Sequence, residues 1–204
     1  MESACWIKAY KFIANGEDKK AMEVCSGELC SDVLECQKYM GLMYYKQADM
    51  EQAGEWYLRA AKKGDADALY GVASVRYVQG SFDGALQYFK EASRKGNIRA
   101  LHWVGFMYQK GYGASQDLDL ARKYYRESAK HGYLVAEHAL LSFVFQKGRF
   151  LEKLKTIPRL ISLMFKATII TYKNADDERL SDLRTLGRLI NSPQKRSATD
   201  KGSA

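Results

Sequence analysis

Two residue types in this chain, histidine and cysteine, could bind metal ions or take part in acid–base chemistry. The three histidines, His102, His131 and His138, form no HExxH or comparable ligand spacing. No phosphate-binding loop, nucleophile elbow or dinucleotide-binding glycine pattern is present, and the Gly-Tyr-Gly at 111–113 is interpreted as a turn. The sequence therefore predicts no catalytic residues, no metal, no cofactor and no enzymatic activity.

Cysteine is the second such type, and all four cysteines lie near the N-terminus. Cys5, Cys25, Cys30 and Cys36 are separated by gaps of 20, 5 and 6 residues, which match no zinc ribbon or redox pair. Residues 1–16 lack the features of a secretory signal, so we predict a cytoplasmic location. In that reducing compartment we expect buried or free thiols rather than disulfides; export would reverse this expectation.

Net charge is concentrated at the C-terminal end. The chain has 204 residues and is 47% hydrophobic, enough to bury a substantial core. Residues 1–148 hold 20 Lys and Arg against 18 Asp and Glu, whereas residues 149–204 hold 12 against 6. The nearly neutral first part argues against nucleic acid as a partner, and the basic end is electrostatically distinct.

One sequence unit occurs three times, starting at Cys36, Ala68 and Ala100. Its equivalent positions are Gly41, Ala73 and Gly105; Ala53, Ala85 and Ala121; Tyr57, Phe89 and Tyr125; and Gly64, Gly96 and Gly132. Apolar residues within each unit recur at helical spacing. Repeats of this length predict an all-α solenoid of stacked helix hairpins.

Small residues and aromatic rings are predicted to set the packing of each hairpin. The small residue of the first helix faces the alanine of the second, which lets the two backbones approach closely. The aromatic residue of the second helix then fills the space toward the next hairpin. The last glycine of each unit ends the second helix in left-handed geometry.

The repeat register also predicts the organisation of the chain. The solenoid spans 1–148, with hairpins at 4–30, 36–64, 68–96 and 100–132 and a half repeat at 136–148. Residues 149–190 are predicted to form basic amphipathic helices. Residues 191–204 are polar and are predicted to be disordered.

The third unit, residues 100–132, resembles a Sel-one-like repeat, and the first two resemble tetratricopeptide repeats with a shorter turn. The matching residues are Ala100, Gly105, Tyr108, Gly111, Gly113, Asp117, Ala121, Tyr124, Tyr125, Ala129 and Gly132. The resemblance implies a right-handed superhelix of antiparallel helix pairs, often bacterial, whose first helices line a concave groove that binds peptides or partner proteins. It implies no catalytic residues.

Transferring that groove to this sequence predicts twelve partner-binding positions on the first helices. They are Lys38, Leu42, Tyr45, Tyr70, Ser74, Tyr77, His102, Phe106, Gln109, His138, Ser142 and Phe145. An aromatic, mildly polar groove suits an amphipathic helix or an extended apolar peptide. The alternative is that the aromatic members, Tyr45, Tyr77 and Phe106, serve in packing between helices.

A second apolar face lies in the segment 157–173. Its predicted docking residues, which fall on one helical stripe, are Ile157, Leu160, Ile161, Met164, Phe165 and Ile169. Leu163 and Ile170 widen the apolar arc. The segment is too short and too charged to span a bilayer. It either caps the last hairpin, docks onto a partner, or lies on an anionic membrane surface.

The sequence thus predicts a non-enzymatic adaptor that binds a partner protein or peptide through the groove and the C-terminal helices. The first alternative is a peripheral organiser of an envelope, polysaccharide or secretion assembly, held at the inner face of the membrane by residues 157–190. The second is a homo-oligomer that associates through uncovered apolar ends.

Overall fold

A computed structural model describes residues 4–147, 157–158 and 161–165, with the side chains of 144–147 excepted. All regular elements among these residues are helices, which confirms the predicted all-α solenoid fold. They are α1 (Ala4–Ala14), α2 (Asp18–Ser26), α3 (Leu34–Lys46), α4 (Met50–Ala61), α5 (Ala66–Val78), α6 (Phe82–Arg94), α7 (Ile98–Lys110), α8 (Leu118–Lys130) and α9 (Leu134–Lys147). The two C-terminal pieces are also helical.

The chain divides into two compact units, residues 1–131 and 132–204. Within the first unit, helices that follow each other in sequence pack against each other, from α1 through α8. The first helices α1, α3 and α5 also contact one another in order. This nearest-neighbour pattern is that of a solenoid, in which each hairpin is stabilised by the hairpins beside it.

Short polar side chains and glycine define the ends of the repeat helices. Asp65 and Asn97 precede α5 and α7, and their side-chain oxygens accept hydrogen bonds from the backbone N–H groups of Ala68 and Ala100. These bonds satisfy donors that a helix start leaves unpaired. The glycines predicted to end the second helices, Gly64, Gly96 and Gly132, all have positive φ angles.

The ring of Tyr57, on α4, is enclosed by glycines on two different first helices. A Cβ atom added to Gly41 of α3 would lie 2.8 Å from Tyr57 Cδ1, and one added to Gly71 of α5 would lie 2.5 Å from the same atom. In α7, a Cβ on Gly105 would lie 3.0 Å from the ring of Tyr125. The aromatic residue therefore fills the interface between hairpins, as its spacing predicts.

The N-terminal helices α1 and α2 are joined to the rest of the unit by core packing and a covalent link. Trp6 of α1 meets Tyr39 of α3 at a ring-centroid distance of 6.2 Å. A disulfide connects Cys5 with Cys30, whose Cα atoms are 5.5 Å apart. The expectation of four unlinked thiols is wrong for this pair, because the turn at Gly16 brings together residues that are remote in sequence. Cys25 and Cys36 are buried thiols.

The second unit begins with α9 and its described C-terminal pieces. Tyr133, Leu134, Val135, Leu141 and Phe143 are buried. The predicted helices within 149–190 fall outside the described residues, apart from 157–158 and 161–165, and so does the predicted disordered tail at 191–204.

We predict that Gly71→Val lowers the free energy of unfolding by about 1–3 kcal/mol, because the new side chain must displace the Tyr57 ring. Urea denaturation followed by circular dichroism measures the change. The loss should be smaller in a Tyr57→Leu background, where the obstructing ring is absent. An equal loss in both backgrounds would contradict this packing.

Gly54 provides the matched control, because it also lies inside a helix. A Cβ atom there would meet only Val75 Cγ1, at an ordinary contact distance of 3.5 Å. Gly54→Ala should therefore raise the free energy of unfolding by about 0.5–1 kcal/mol through helix propensity alone.

Candidate functional site

Five aromatic residues of the first unit form one cluster, which we call the aromatic cluster. Its members are Tyr77, Phe82, Trp103, Phe106 and Tyr112, and all five side chains are half-buried. Tyr77 of α5 lies at the centre: its ring centroid is 5.1 Å from that of Trp103 and 6.3 Å from that of Phe106, both on α7. The cluster therefore packs two neighbouring first helices together and exposes part of each ring.

The loop between α7 and α8 supplies Tyr112. Its ring stacks on Phe82, at the start of α6, with centroids 4.5 Å apart and planes 10° from parallel. Gly113 has φ +69° and approaches so closely that a Cβ atom would lie 2.4 Å from the carbonyl oxygen of Phe82. Only glycine fits this contact. The loop of the third repeat thus reaches back to the second.

Tyr70, a predicted partner-binding residue on α5, takes part in a polar contact with α7. The guanidinium of Arg99 lies 4.7 Å from the Tyr70 ring centroid and forms an ion pair of 3.2 Å with Asp67. The Asn97 side chain donates a hydrogen bond of 2.7 Å to the same Asp67 carboxylate. Lys38 likewise joins α3 to the start of α5 through Asp65, at 3.3 Å.

His102 and Gln109, two further predicted binding residues, contact Tyr125 of α8. The Tyr125 hydroxyl donates a hydrogen bond of 2.7 Å to Gln109 Oε1, and the His102 ring centroid lies 5.2 Å from that of Tyr125. Burial raises the pKa of Tyr125, so its hydroxyl stays a donor. With only 7% of its surface exposed, His102 offers little area to a partner.

The remaining predicted residues of the first unit have more surface available. Leu42 is 40% exposed, and Tyr45 and Ser74 are half-buried. The Ser74 hydroxyl donates to the carbonyl oxygen of Tyr70, one turn earlier. Leu42, Ser74 and Phe106 occupy equivalent positions on α3, α5 and α7, one repeat apart. We call the surface formed by the predicted residues of these three helices the first-helix face.

The predicted residues of α9 belong to the second unit. His138 is exposed, and the half-buried Ser142 donates a hydrogen bond of 2.6 Å to the carbonyl oxygen of Ala139. The side chain of Phe145 lies outside the described part of the chain. The binding role of all twelve residues stays a prediction.

The predicted C-terminal stripe exposes apolar surface. Ile157, Ile161, Met164 and Phe165 are between 45% and 69% exposed, whereas Leu163 is buried. The other two predicted members, Leu160 and Ile169, are outside the described residues. None of the described helices combines the length and apolar character that crossing a membrane requires.

Sequence reasoning missed three members of the aromatic cluster: Phe82, Trp103 and Tyr112. A signal was present for Trp103, which stands where the second repeat has Gly71. Phe89, the equivalent of Tyr57, stacks on Trp103 with centroids 5.5 Å apart and planes 8° from parallel. The junction between the second and third repeats therefore packs differently from the junction before it, with an aromatic residue in place of a glycine.

The described residues contain no group of three or more His, Cys, Asp or Glu side chains arranged to hold a metal ion. The first-helix face and the aromatic cluster form a largely apolar surface on stacked helix pairs. This combination defines a helical-repeat protein.

The repeats belong to a known family. The family model described as "Sel1 repeat" matches residues 34–65, 66–97 and 98–133, so this part of the chain consists of three Sel1 repeats. This confirms the resemblance seen in the sequence and extends it to the first two units. Proteins with Sel1 repeats generally mediate protein–protein interactions, and the fold is typically not enzymatic.

Similar proteins share mainly the fold. A Sel1 repeat protein from Oxalobacter formigenes has a TM-score of 0.61 at 21% identity, covering 72% of this chain and 61% of that one. MamA has a TM-score of 0.60 at 17% identity, covering 78% and 96%. The ERAD-associated E3 ubiquitin-protein ligase component HRD3 of Candida glabrata is 30% identical over 76 residues, which are 37% of this chain and only 9% of HRD3.

We predict that Tyr125→Phe lowers the free energy of unfolding by about 0.5–1.5 kcal/mol, because Gln109 Oε1 loses its donor. Urea denaturation measures the change. In a Gln109→Ala background the same substitution should cost less, since the acceptor is already gone. If the losses from the two substitutions are fully additive, the hydrogen bond between Tyr125 and Gln109 does not contribute to stability.

Proposed function

We propose that this chain is a non-enzymatic adaptor that binds an apolar segment of a partner protein, an extended peptide or an amphipathic helix, on the first-helix face. The observation that carries the proposal is the row of equivalent positions Leu42, Ser74 and Phe106 on three consecutive first helices. The row places apolar and small side chains one repeat apart. A surface with this repeat suits a partner that presents side chains at regular intervals.

The packing of the aromatic cluster supports this role. Tyr77 and Phe106 are held by several neighbouring rings and still expose part of their area. Side chains that are already ordered lose little conformational entropy when a partner binds. Aromatic residues also supply most of the binding energy at many protein interfaces. The cluster thus combines a packing function with a rigid surface for contact.

The same packing determines which substitutions test the proposal. Alanine at Tyr77 or Phe106 would remove contacts between α5 and α7, so a loss of binding could follow from a loss of stability. Leu42 is 40% exposed, and the Ser74 hydroxyl donates to the carbonyl oxygen of Tyr70 on its own helix. A charge at these positions changes the surface and leaves the core intact.

We predict that Leu42→Glu combined with Ser74→Glu weakens partner binding at least tenfold, which is about 1.4 kcal/mol. The physical reason is that unpaired carboxylates would be buried against apolar partner side chains. The full chain is used to capture partners from native lysate, and the dissociation constant is then measured by calorimetry with the purified partner.

Leu29→Glu is the matched control. Leu29 is 92% exposed and lies between α2 and α3, outside the first-helix face. Like the substitutions on the first-helix face, Leu29→Glu introduces a carboxylate in place of an uncharged side chain. All variants must keep the helicity and thermal midpoint of the parent chain. Equal affinities for the double variant and the control would refute binding through the first-helix face.

A second candidate function is attachment to an anionic membrane surface, favoured by the exposed C-terminal stripe. Ile157, Ile161, Met164 and Phe165 expose apolar surface, and residues 149–204 carry twice as many basic as acidic residues, 12 against 6. Apolar contact and electrostatic attraction together can hold an amphipathic helix at a lipid interface.

We predict for this candidate that the full chain floats with vesicles containing phosphatidylserine and stays at the bottom with phosphatidylcholine alone. Ile161→Glu combined with Phe165→Glu should abolish flotation, and Leu29→Glu should not. A parent chain that sediments in both cases would exclude the membrane function without affecting the adaptor proposal.

A further inference from the structure

All four cysteines meet in one part of the first unit. Cys25 of α2 and Cys36 of α3 are fully buried members of the core formed by the N-terminal helices. Cys5 and Cys30 pack against the same core and are joined by a disulfide. One pair of cysteines is therefore linked, and the second pair lies in the same core.

Cys25 and Cys36 are buried in the same core, on two neighbouring helices. Burial raises the pKa of the Cys25 thiol, and a side-chain hydrogen bond with Cys36 raises it further, as expected when Cys25 is the donor. The two residues lie on α2 and α3, which pack directly against each other. Cysteines in one core, on two directly packed helices, can be linked without the large backbone movement that cysteines on separated elements would need.

We propose that Cys25 and Cys36 form a second disulfide, which joins α2 to α3 when the chain folds in an oxidising compartment. A thiolate of one cysteine attacks a low-molecular-weight disulfide such as oxidised glutathione, and one reduced glutathione leaves. The thiolate of the other cysteine then displaces the second glutathione. The chain loses two protons and two electrons, and both are recovered in the two glutathione thiols.

The environment of the pair indicates when the bond forms. Burial raises the pKa of both thiols, so they are protonated in the folded chain and attack a disulfide slowly. Exchange is faster while the chain is still unfolded and the thiols are exposed to solvent. The second disulfide therefore closes during oxidative folding and is then protected inside the core.

The two disulfides together would join the N-terminal helices covalently to the first repeat. The bond between Cys5 and Cys30 links α1 to the segment that follows α2. A bond between Cys25 and Cys36 would link α2 to α3, the first helix of the first Sel1 repeat, which begins at residue 34. Among the described residues, α1 and α2 pack against the repeats on one side only, and a pair held on one side unfolds more easily than a pair held between two neighbours.

Mass spectrometry of the refolded full chain tests the proposal. The chain is reduced, denatured, refolded with reduced and oxidised glutathione, and then denatured again in N-ethylmaleimide to label every remaining thiol. Cleavage after glutamate separates the cysteines, because Glu28 and Glu35 lie between Cys25, Cys30 and Cys36. We expect no label and two linked peptide pairs, one containing Cys5 and Cys30 and the other Cys25 and Cys36.

Other outcomes overturn the proposal. N-ethylmaleimide on both Cys25 and Cys36 would show that the pair stays reduced, and so would glutathione attached to either one. A link from Cys25 or Cys36 to Cys5 or Cys30 would show a different pairing. In the variant Cys5→Ser with Cys30→Ser, the link between Cys25 and Cys36 should still form, because α2 and α3 pack directly against each other and neither cysteine takes part in the first disulfide.

Discussion

The packing of one aromatic ring between successive helix pairs is the constraint on which the repeat region depends. Tyr57 fills the space between α3 and α5 only because Gly41 and Gly71 have no side chains. At the next junction, Trp103 stands where the repeat before it has Gly71, and its ring stacks on Phe89. Two stacked rings therefore fill the interface there. The two junctions satisfy the same requirement for a filled interface with different residues. A glycine and an aromatic residue can thus alternate at one repeat position without loss of the fold.

The sequence was sufficient to predict the helices and their order, because these depend on local periodicity and on residues that recur in register. Gly105 and Tyr125 illustrate this: both positions follow from the repeat, and the structure brings them into contact. The disulfide between Cys5 and Cys30 could not be predicted in this way, because no spacing rule relates residues that meet only after two helices have folded. Tyr112 was missed for a similar reason, because it reaches the aromatic cluster through a loop specific to the third repeat.

Packing and recognition are not separate properties of the first-helix face. Tyr77 of α5 contacts Trp103 and Phe106 of α7 and also exposes part of its ring. Lys38 and Tyr70 make contacts that join consecutive first helices. The disulfide between Cys5 and Cys30 adds a covalent constraint within the same unit, of a kind that is typical of oxidising compartments.

The loop that carries Tyr112 and Gly113 has a consequence for how the repeats respond to force. In a simple stack, each hairpin can detach by breaking only the interface between adjacent helices, so pulling from one end would release hairpins one at a time. The ring of Tyr112 stacks on Phe82 and ties the third repeat to the start of α6 by an additional contact. We therefore expect the second and third repeats to separate at a higher force than repeats that are joined by helix packing alone.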